Sequence, residues 1–201
     1  MSDLPIKSPL QIDMHARSEP QLSFAGVPLT GPMDIVPQDG PVRDWLQELG
    51  LPKDWEQLDQ LAKPRGFADR FARIIVVDES PTRFPGAWRF RPSEIVFQRG
   101  YYLFTLSHLG LVIGRCSLLH VNPAGVVPGT DGMCLTATVM FYDSDLAMAA
   151  WRGIASNIFT HVSAIVVRPP DAPADVGELI EIGLVNSPGC PGARILKTWE
   201  A

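Results

Sequence analysis

The chain has 201 residues, of which 46% are hydrophobic and 19% are charged, and its formal net charge at pH 7 is −5. This size and composition predict one full hydrophobic core, with or without a small appendage, and the negative charge argues against a nucleic-acid-binding protein. No apolar run approaches the roughly 18 residues of a membrane span. The N-terminal residues show neither the basic start nor the apolar stretch of a signal peptide, so we expect a protein of the cytoplasm with no membrane partner.

The N-terminal part of the chain divides into two segments of different character. Residues 1–41 are rich in proline and have little periodicity, which predicts an extended arm without a core of its own. Residues 42–71 carry apolar side chains at helical spacing, interrupted at Gly50 and Pro52, which predicts two short amphipathic helices. The main domain is then predicted over residues 72–201, beginning with a strand from Ala72 to Asp78.

The segment from Tyr101 to Leu119 consists of two apolar, β-rich runs that are broken around Ser107, His108 and Gly110. This pattern predicts two strands with a histidine where one of them ends or bends. A side chain at a strand end reaches a cleft more readily than one inside the sheet. A single histidine in apolar surroundings is nevertheless more often a hydrogen-bonded structural residue.

A second candidate functional residue follows a strand and a helix. The strand is predicted from Met133 to Tyr142, and the helix from Ser144 to Ile158, with Asp143 or Ser144 as the residue that caps its first amides. The next run is β-branched and aromatic and carries His161 and Ser163 two positions apart, so both side chains should lie on one face of a strand. A hydroxyl and an imidazole are the components of an activated serine nucleophile.

The three cysteines, Cys116, Cys134 and Cys190, are widely spaced and lack the short paired spacing of metal sites. They are interpreted as reduced structural residues, and two of them lie in apolar runs where a thiol serves as a small hydrophobic group. We therefore predict no metal ion, and nothing in the sequence indicates another cofactor.

The remaining elements complete the predicted fold. A polar turn leads to the run ELIEIGLVN, which predicts a last strand followed by a proline and glycine turn and a short tail. Several short strands that are separated by glycine and proline turns are best closed on themselves. The predicted fold class is α+β, mainly β, with a mostly antiparallel closed barrel or curved sheet and a few packed helices.

Taken together, the motifs resemble the prohead (capsid maturation) serine proteases of tailed phages. The resemblance covers residues 95–196 and consists of the order LSHLGLVIGR, a glycine-rich turn, a strand, a short helix, HVSAIVV and ELIEIGLV followed by prolines. That family is similar in fold to the herpesvirus assembly protease. The resemblance implies that Ser163 is the nucleophile and His108 the base, with His161 or Asp171 as the third member of the triad.

The resemblance also implies a biological role. Members of that protease family cut scaffold and capsid-protein extensions during head assembly. The implied partners are therefore the major capsid protein and the scaffold, in a homo-oligomer or virion assembly. The implied location is the procapsid in the host cytoplasm, with or without retention in the virion. The alternative is a non-catalytic structural protein of the capsid or tail that is built on the same fold.

Overall fold

A computed structural model of the protein describes residues 46–80, 90–173, 175–186 and 188–201. The arm predicted for residues 1–41 lies outside the described residues. Eight strands are found in the described part of the chain: β1 (Phe67–Asp78), β2 (Ile95–Val96), β3 (Tyr102–Leu106), β4 (Leu111–Asn122), β5 (Cys134–Tyr142), β6 (His161–Val167), β7 (Gly177–Val185) and β8 (Arg194–Glu200).

All eight strands belong to one sheet, in the order β2, β7, β3, β4, β5, β1, β8, β6. Strand β7 also pairs with β6, so the sheet closes on itself into a ring. The pairings of β7 with β2 and β3 are parallel, and the other pairings are antiparallel. The prediction of a mainly β, mostly antiparallel sheet with a few helices is therefore confirmed.

The helices begin where side chains satisfy their first backbone amides. Helix α1 (Trp55–Ala62) follows Asp54, whose carboxylate accepts a hydrogen bond from the Gln57 N–H at 2.9 Å. Helix α2 (Asp145–Ala155) follows the fully buried Ser144, whose hydroxyl accepts from the Ala147 N–H at 3.1 Å. Such a cap stabilises a helix by about 1 kcal/mol.

The described residues also contain two short helical segments, residues 46–48 and the 3₁₀ turn Pro92–Glu94. None of the helices among the described residues is long and apolar enough to cross a membrane.

The core fills the inside of the ring and is closed by α2. Phe104 on β3 and Phe141 on β5 are fully buried and meet edge to face with ring centroids 5.8 Å apart. Phe141 makes a similar contact with Trp151 of α2 at 5.2 Å. Burying each phenylalanine contributes roughly 1.5–3 kcal/mol. The inner face of the sheet thus carries the packed apolar side chains, so polar side chains that could form a site are expected on its outer face.

Three predicted elements are corrected by the structure. Strand β1 begins at Phe67, before the predicted Ala72, because the Phe67 ring stacks on Tyr142 of the neighbouring strand at 5.0 Å. The segment predicted as a short tail contains strand β8, which pairs along β1 from Arg70 to Ile75. The tail therefore completes the ring. Helix α2 also ends at Ala155, before the predicted Ile158.

Candidate active site

His108 lies in the tight turn that joins β3 to β4. The turn is closed by a hydrogen bond from the Leu109 N–H to the Leu106 carbonyl at 3.1 Å, and its central residues Ser107 and His108 have φ values of 52° and 56°. Two positive φ values match the right-handed twist of the flanking strands, although they are uncommon for residues other than glycine. A second bond, from the Ser107 N–H to the Leu184 carbonyl at 2.9 Å, holds the turn against β7.

The imidazole of His108 lies over Gly183 of β7. A Cβ atom at Gly183 would stand 2.7 Å from His108 Cε1, 2.8 Å from Nδ1 and 3.0 Å from Nε2. These distances are shorter than the 3.5–4.0 Å of an ordinary contact between carbon atoms. The ring therefore occupies the space that a side chain at position 183 would fill, and glycine is required there for the ring to reach this position.

A carboxylate orients the ring. His108 Nδ1 lies 2.7 Å from Glu181 Oε1, and the Thr105 hydroxyl donates to the same oxygen at 2.7 Å. Burial by itself would raise the pKa of Glu181, but the hydrogen bonds from His108 and Thr105 and the attraction to His108 hold it below its ordinary value. An ionised carboxylate only accepts hydrogen bonds, so Nδ1 donates its proton to Glu181, which leaves Nε2 as the ring nitrogen that can accept a proton.

Ser163 lies on the strand next to this pair. In the antiparallel pairing of β6 with β7, Ser163 is directly opposite Gly183 and Ile165 is opposite Glu181. Side chains of directly opposed residues lie on the same face, with Cβ atoms about 4.5–5.5 Å apart. The Ser163 Cβ therefore lies about 5 Å from the Cβ position above Gly183 that the His108 ring fills.

The serine and the histidine are thus neighbours without being bonded. Within residues 90–173, which include both side chains, the structure shows no hydrogen bond between Ser163 and His108. Ser163 and His108 are both partly exposed, so a substrate can reach them. In unliganded enzymes catalytic hydrogen bonds are often long and tighten only in the complex. Rotation of the Ser163 side chain toward Nε2 is the movement that an active arrangement requires.

His161 and Asp171, the two candidates for the third member of the triad, have different surroundings. His161 is two residues before Ser163 on the same face of β6, and its Nδ1 is hydrogen-bonded with the Thr160 hydroxyl at 2.8 Å. Asp171 is exposed in the turn after β6, and among the described residues its carboxylate has no hydrogen bond or ion pair. The carboxylate that contacts His108 belongs instead to Glu181 on β7.

Glu181 was not identified from the sequence, although a signal for it exists. It stands in the middle of ELIEIGLVN, between the apolar residues Ile180 and Ile182. A glutamate is rarely buried unless it is paired, so a central glutamate in such a strand indicates a partner. What the sequence does not contain is the strand register that brings His108 to it.

The cysteines do not form a competing nucleophilic site. All three are free thiols. Full burial strongly raises the pKa of the Cys116 thiol, and burial also raises that of Cys134. Burial and a hydrogen bond to Asp78, with an Sγ to Oδ1 distance of 2.9 Å, raise the pKa of Cys190. Since the thiolate is the reactive form, these environments suppress nucleophilic reactivity.

Comparison of the chain with family models, curated proteins and solved structures found no match.

Proposed function

We propose that the protein is a serine endopeptidase in which Ser163 is the nucleophile, His108 the general base and Glu181 the acid that orients the base. One observation carries the proposal: a carboxylate-bound imidazole lies over Gly183, the residue paired with Ser163. An acid, a base and a hydroxyl in this order are the arrangement that activates serine on several unrelated folds.

The arrangement supports the following sequence of steps. Ser163 Oγ attacks the carbonyl carbon of the scissile bond while its proton passes to His108 Nε2. The Glu181 carboxylate, already bonded to Nδ1, stabilises the positive charge that forms on the ring. His108 then returns the proton to the leaving amine, and a water molecule activated by the same ring releases the acyl group from Ser163.

The resemblance described above supports a more specific form of this proposal. The substrate class would be the scaffold and the extensions of the major capsid protein, cut inside the procapsid of a tailed phage. Both partners would be presented by the assembly around the enzyme. The resemblance supplies this role, and the site supplies the chemistry.

A fluorophosphonate probe tests the chemistry without knowledge of the substrate. The probe forms a bond from phosphorus to the serine oxygen and loses fluoride, and the serine proton goes to the base. We expect labelling of Ser163, no labelling there in Ser163→Ala, and a fall in rate of at least about 100-fold in His108→Ala and Glu181→Gln because the base is lost or misoriented. Folded, unlabelled protein would contradict the proposal.

Matched variants separate a catalytic effect from a structural one. Each replaces a partly or fully exposed residue of the same type outside the proposed triad and should leave labelling unchanged. In the cell, Ser163→Ala should also abolish processing of co-expressed capsid protein and scaffold. The control variants are Ser117→Ala, His120→Ala and Glu178→Gln.

The non-catalytic virion protein is the second candidate function. The observation that favours it is the missing hydrogen bond between Ser163 and His108 among the described residues. It predicts that the folded protein is not labelled, that Ser163→Ala leaves capsid processing unchanged, and that the protein is recovered from mature particles. Labelling of Ser163 that depends on His108 would exclude this candidate.

A further inference from the structure

A cleft of about 380 Å³ lies between helix α1 and the hairpin formed by β3 and β4. Its charged lining residues, Asp59 and Lys63, are opposite in sign, so the cleft has no net preference for a charged group. Its other lining is mainly apolar and includes an aromatic ring. The residues that form this lining include Ala62, Pro64, Leu103, Leu111, Val112 and Tyr142.

The cleft and the candidate active site lie on the same face of the sheet. Val112 on β4 is directly opposite Thr105 on β3, and Thr105 donates the hydrogen bond to Glu181. Leu103 is two residues before Thr105 in the same strand, so both side chains lie on this face. The ring of His108 extends from the turn over β7, whereas the cleft opens on the side of β4. Strand β3 therefore separates the two.

The spacing between strands gives the distance from Ser163 to the cleft. The strands β6, β7, β3 and β4 are successive neighbours, and neighbouring strands lie about 4.8 Å apart. Ser163 on β6 and Val112 on β4 are three such spacings apart, which corresponds to roughly 14 Å. An extended peptide advances about 3.3 Å per residue, so it crosses this distance in about four residues.

We propose that the cleft binds an apolar side chain of the substrate about four residues from the bond that is cut. This inference rests on the proposed function and names the substrate class of the same site: peptides with a leucine-sized or aromatic residue at that position. The volume accommodates such a side chain. The Tyr142 ring is held in place because its hydroxyl accepts a hydrogen bond from Arg115 Nε at 2.7 Å.

The test is digestion of a peptide library with the full chain, with cleavage products identified by mass spectrometry. We expect the wild type to favour apolar over charged residues about tenfold or more at the fourth position on one side of the cut, since burial of one large apolar side chain is worth that factor. Ala62→Trp places an indole in the cleft and should remove this preference. Cleavage is expressed per fluorophosphonate-labelled Ser163, so that only folded, active protein is compared.

Two further variants make the result specific. Gln57→Trp adds the same side chain to an exposed position of α1 that does not line the cleft, and it should keep the wild-type preference. Leu103→Ala enlarges the cleft and should shift the preference toward aromatic residues, which provides a second test should Ala62→Trp not fold.

The outcomes separate this inference from the proposed function. If Ser163 is labelled but the wild type shows no apolar preference at the fourth position, or cuts no peptide, the inference is overturned and the serine chemistry stands. The same holds if Ala62→Trp and Leu103→Ala keep the wild-type preference. If Ser163 is not labelled in folded protein, the proposed function fails and this inference fails with it.

Discussion

Replacement of Gly183 by alanine tests the position of the His108 ring with a single methyl group. The new Cβ would stand 2.7–3.0 Å from three ring atoms, which is roughly 1 Å closer than an ordinary contact allows. Gly183 does not have a positive φ, so the backbone accepts alanine there. The ring must therefore move away from β7, and its 2.7 Å hydrogen bond with Glu181 must lengthen or break.

The expected effect on reactivity is much larger than the effect on stability. A displacement of about 1 Å in a catalytic group lowers a rate by about 100-fold, so fluorophosphonate labelling of Ser163 should slow by that factor. The lost hydrogen bond costs about 1 kcal/mol or somewhat more, and the smaller unfolded-state entropy of alanine offsets roughly half a kcal/mol or more. The free energy of unfolding should therefore fall by only roughly 0.5–1 kcal/mol.

The assay measures the labelling rate and the urea unfolding midpoint of the same preparation. Gly100→Ala is the matched control, because Gly100 has no positive φ and no atom within 4 Å of a Cβ built there. Labelling by Gly183→Ala at the wild-type rate, with the fold intact, would refute the idea that the ring above Gly183 is the working base.

Two further predictions concern stability. Replacement of Glu181 by glutamine should lower the free energy of unfolding by about 1 kcal/mol at pH 7. The folded-state pKa of Glu181 lies below its ordinary value of 4.5, so this contribution is present above that value and is lost as the pH falls through the lowered pKa. The urea midpoints of the wild type and Glu181→Gln should therefore converge on acidification. A constant difference between them down to pH 3 would contradict an ionised, hydrogen-bonded Glu181. Gly114→Ala should destabilise the protein by roughly 1–3 kcal/mol, since its Cβ would meet the Met140 carbonyl oxygen at 2.5 Å, and a thermal midpoint equal to that of the wild type would rule out this close approach of β4 and β5.

Much of the fold follows from local sequence patterns. The two apolar runs around His108 are strands, the break between them is a turn, and the side chain of Ser144 caps the predicted helix. Strand β8 was missed because all of its side chains are exposed or partly exposed. It is a strand because it pairs with β1, which lies far before it in the sequence. A pairing between two segments that are distant in sequence leaves no local pattern.

The site was only partly predictable for the same reason. His108 and Ser163 were identified by residue type and by the resemblance, and the structure places the His108 ring over Gly183 of β7, which pairs with Ser163 of β6. Glu181 contacts His108 because β3 and β7 are parallel neighbours in one particular register. Asp171 was considered for its distance along the chain after Ser163, but distance along the chain does not specify which carboxylate reaches the ring.

The pairing of β8 has a consequence for local opening of the closed β-sheet. Strand β8 is paired with β1 from Arg70 to Ile75, whereas in the described residues its register with β6 consists of the single pair His161 and Arg194. A short ladder opens at a lower free energy than a long one. Amide hydrogen exchange should therefore be faster along the β6 and β8 seam than along β1, and each opening frees one edge of the strand that carries Ser163.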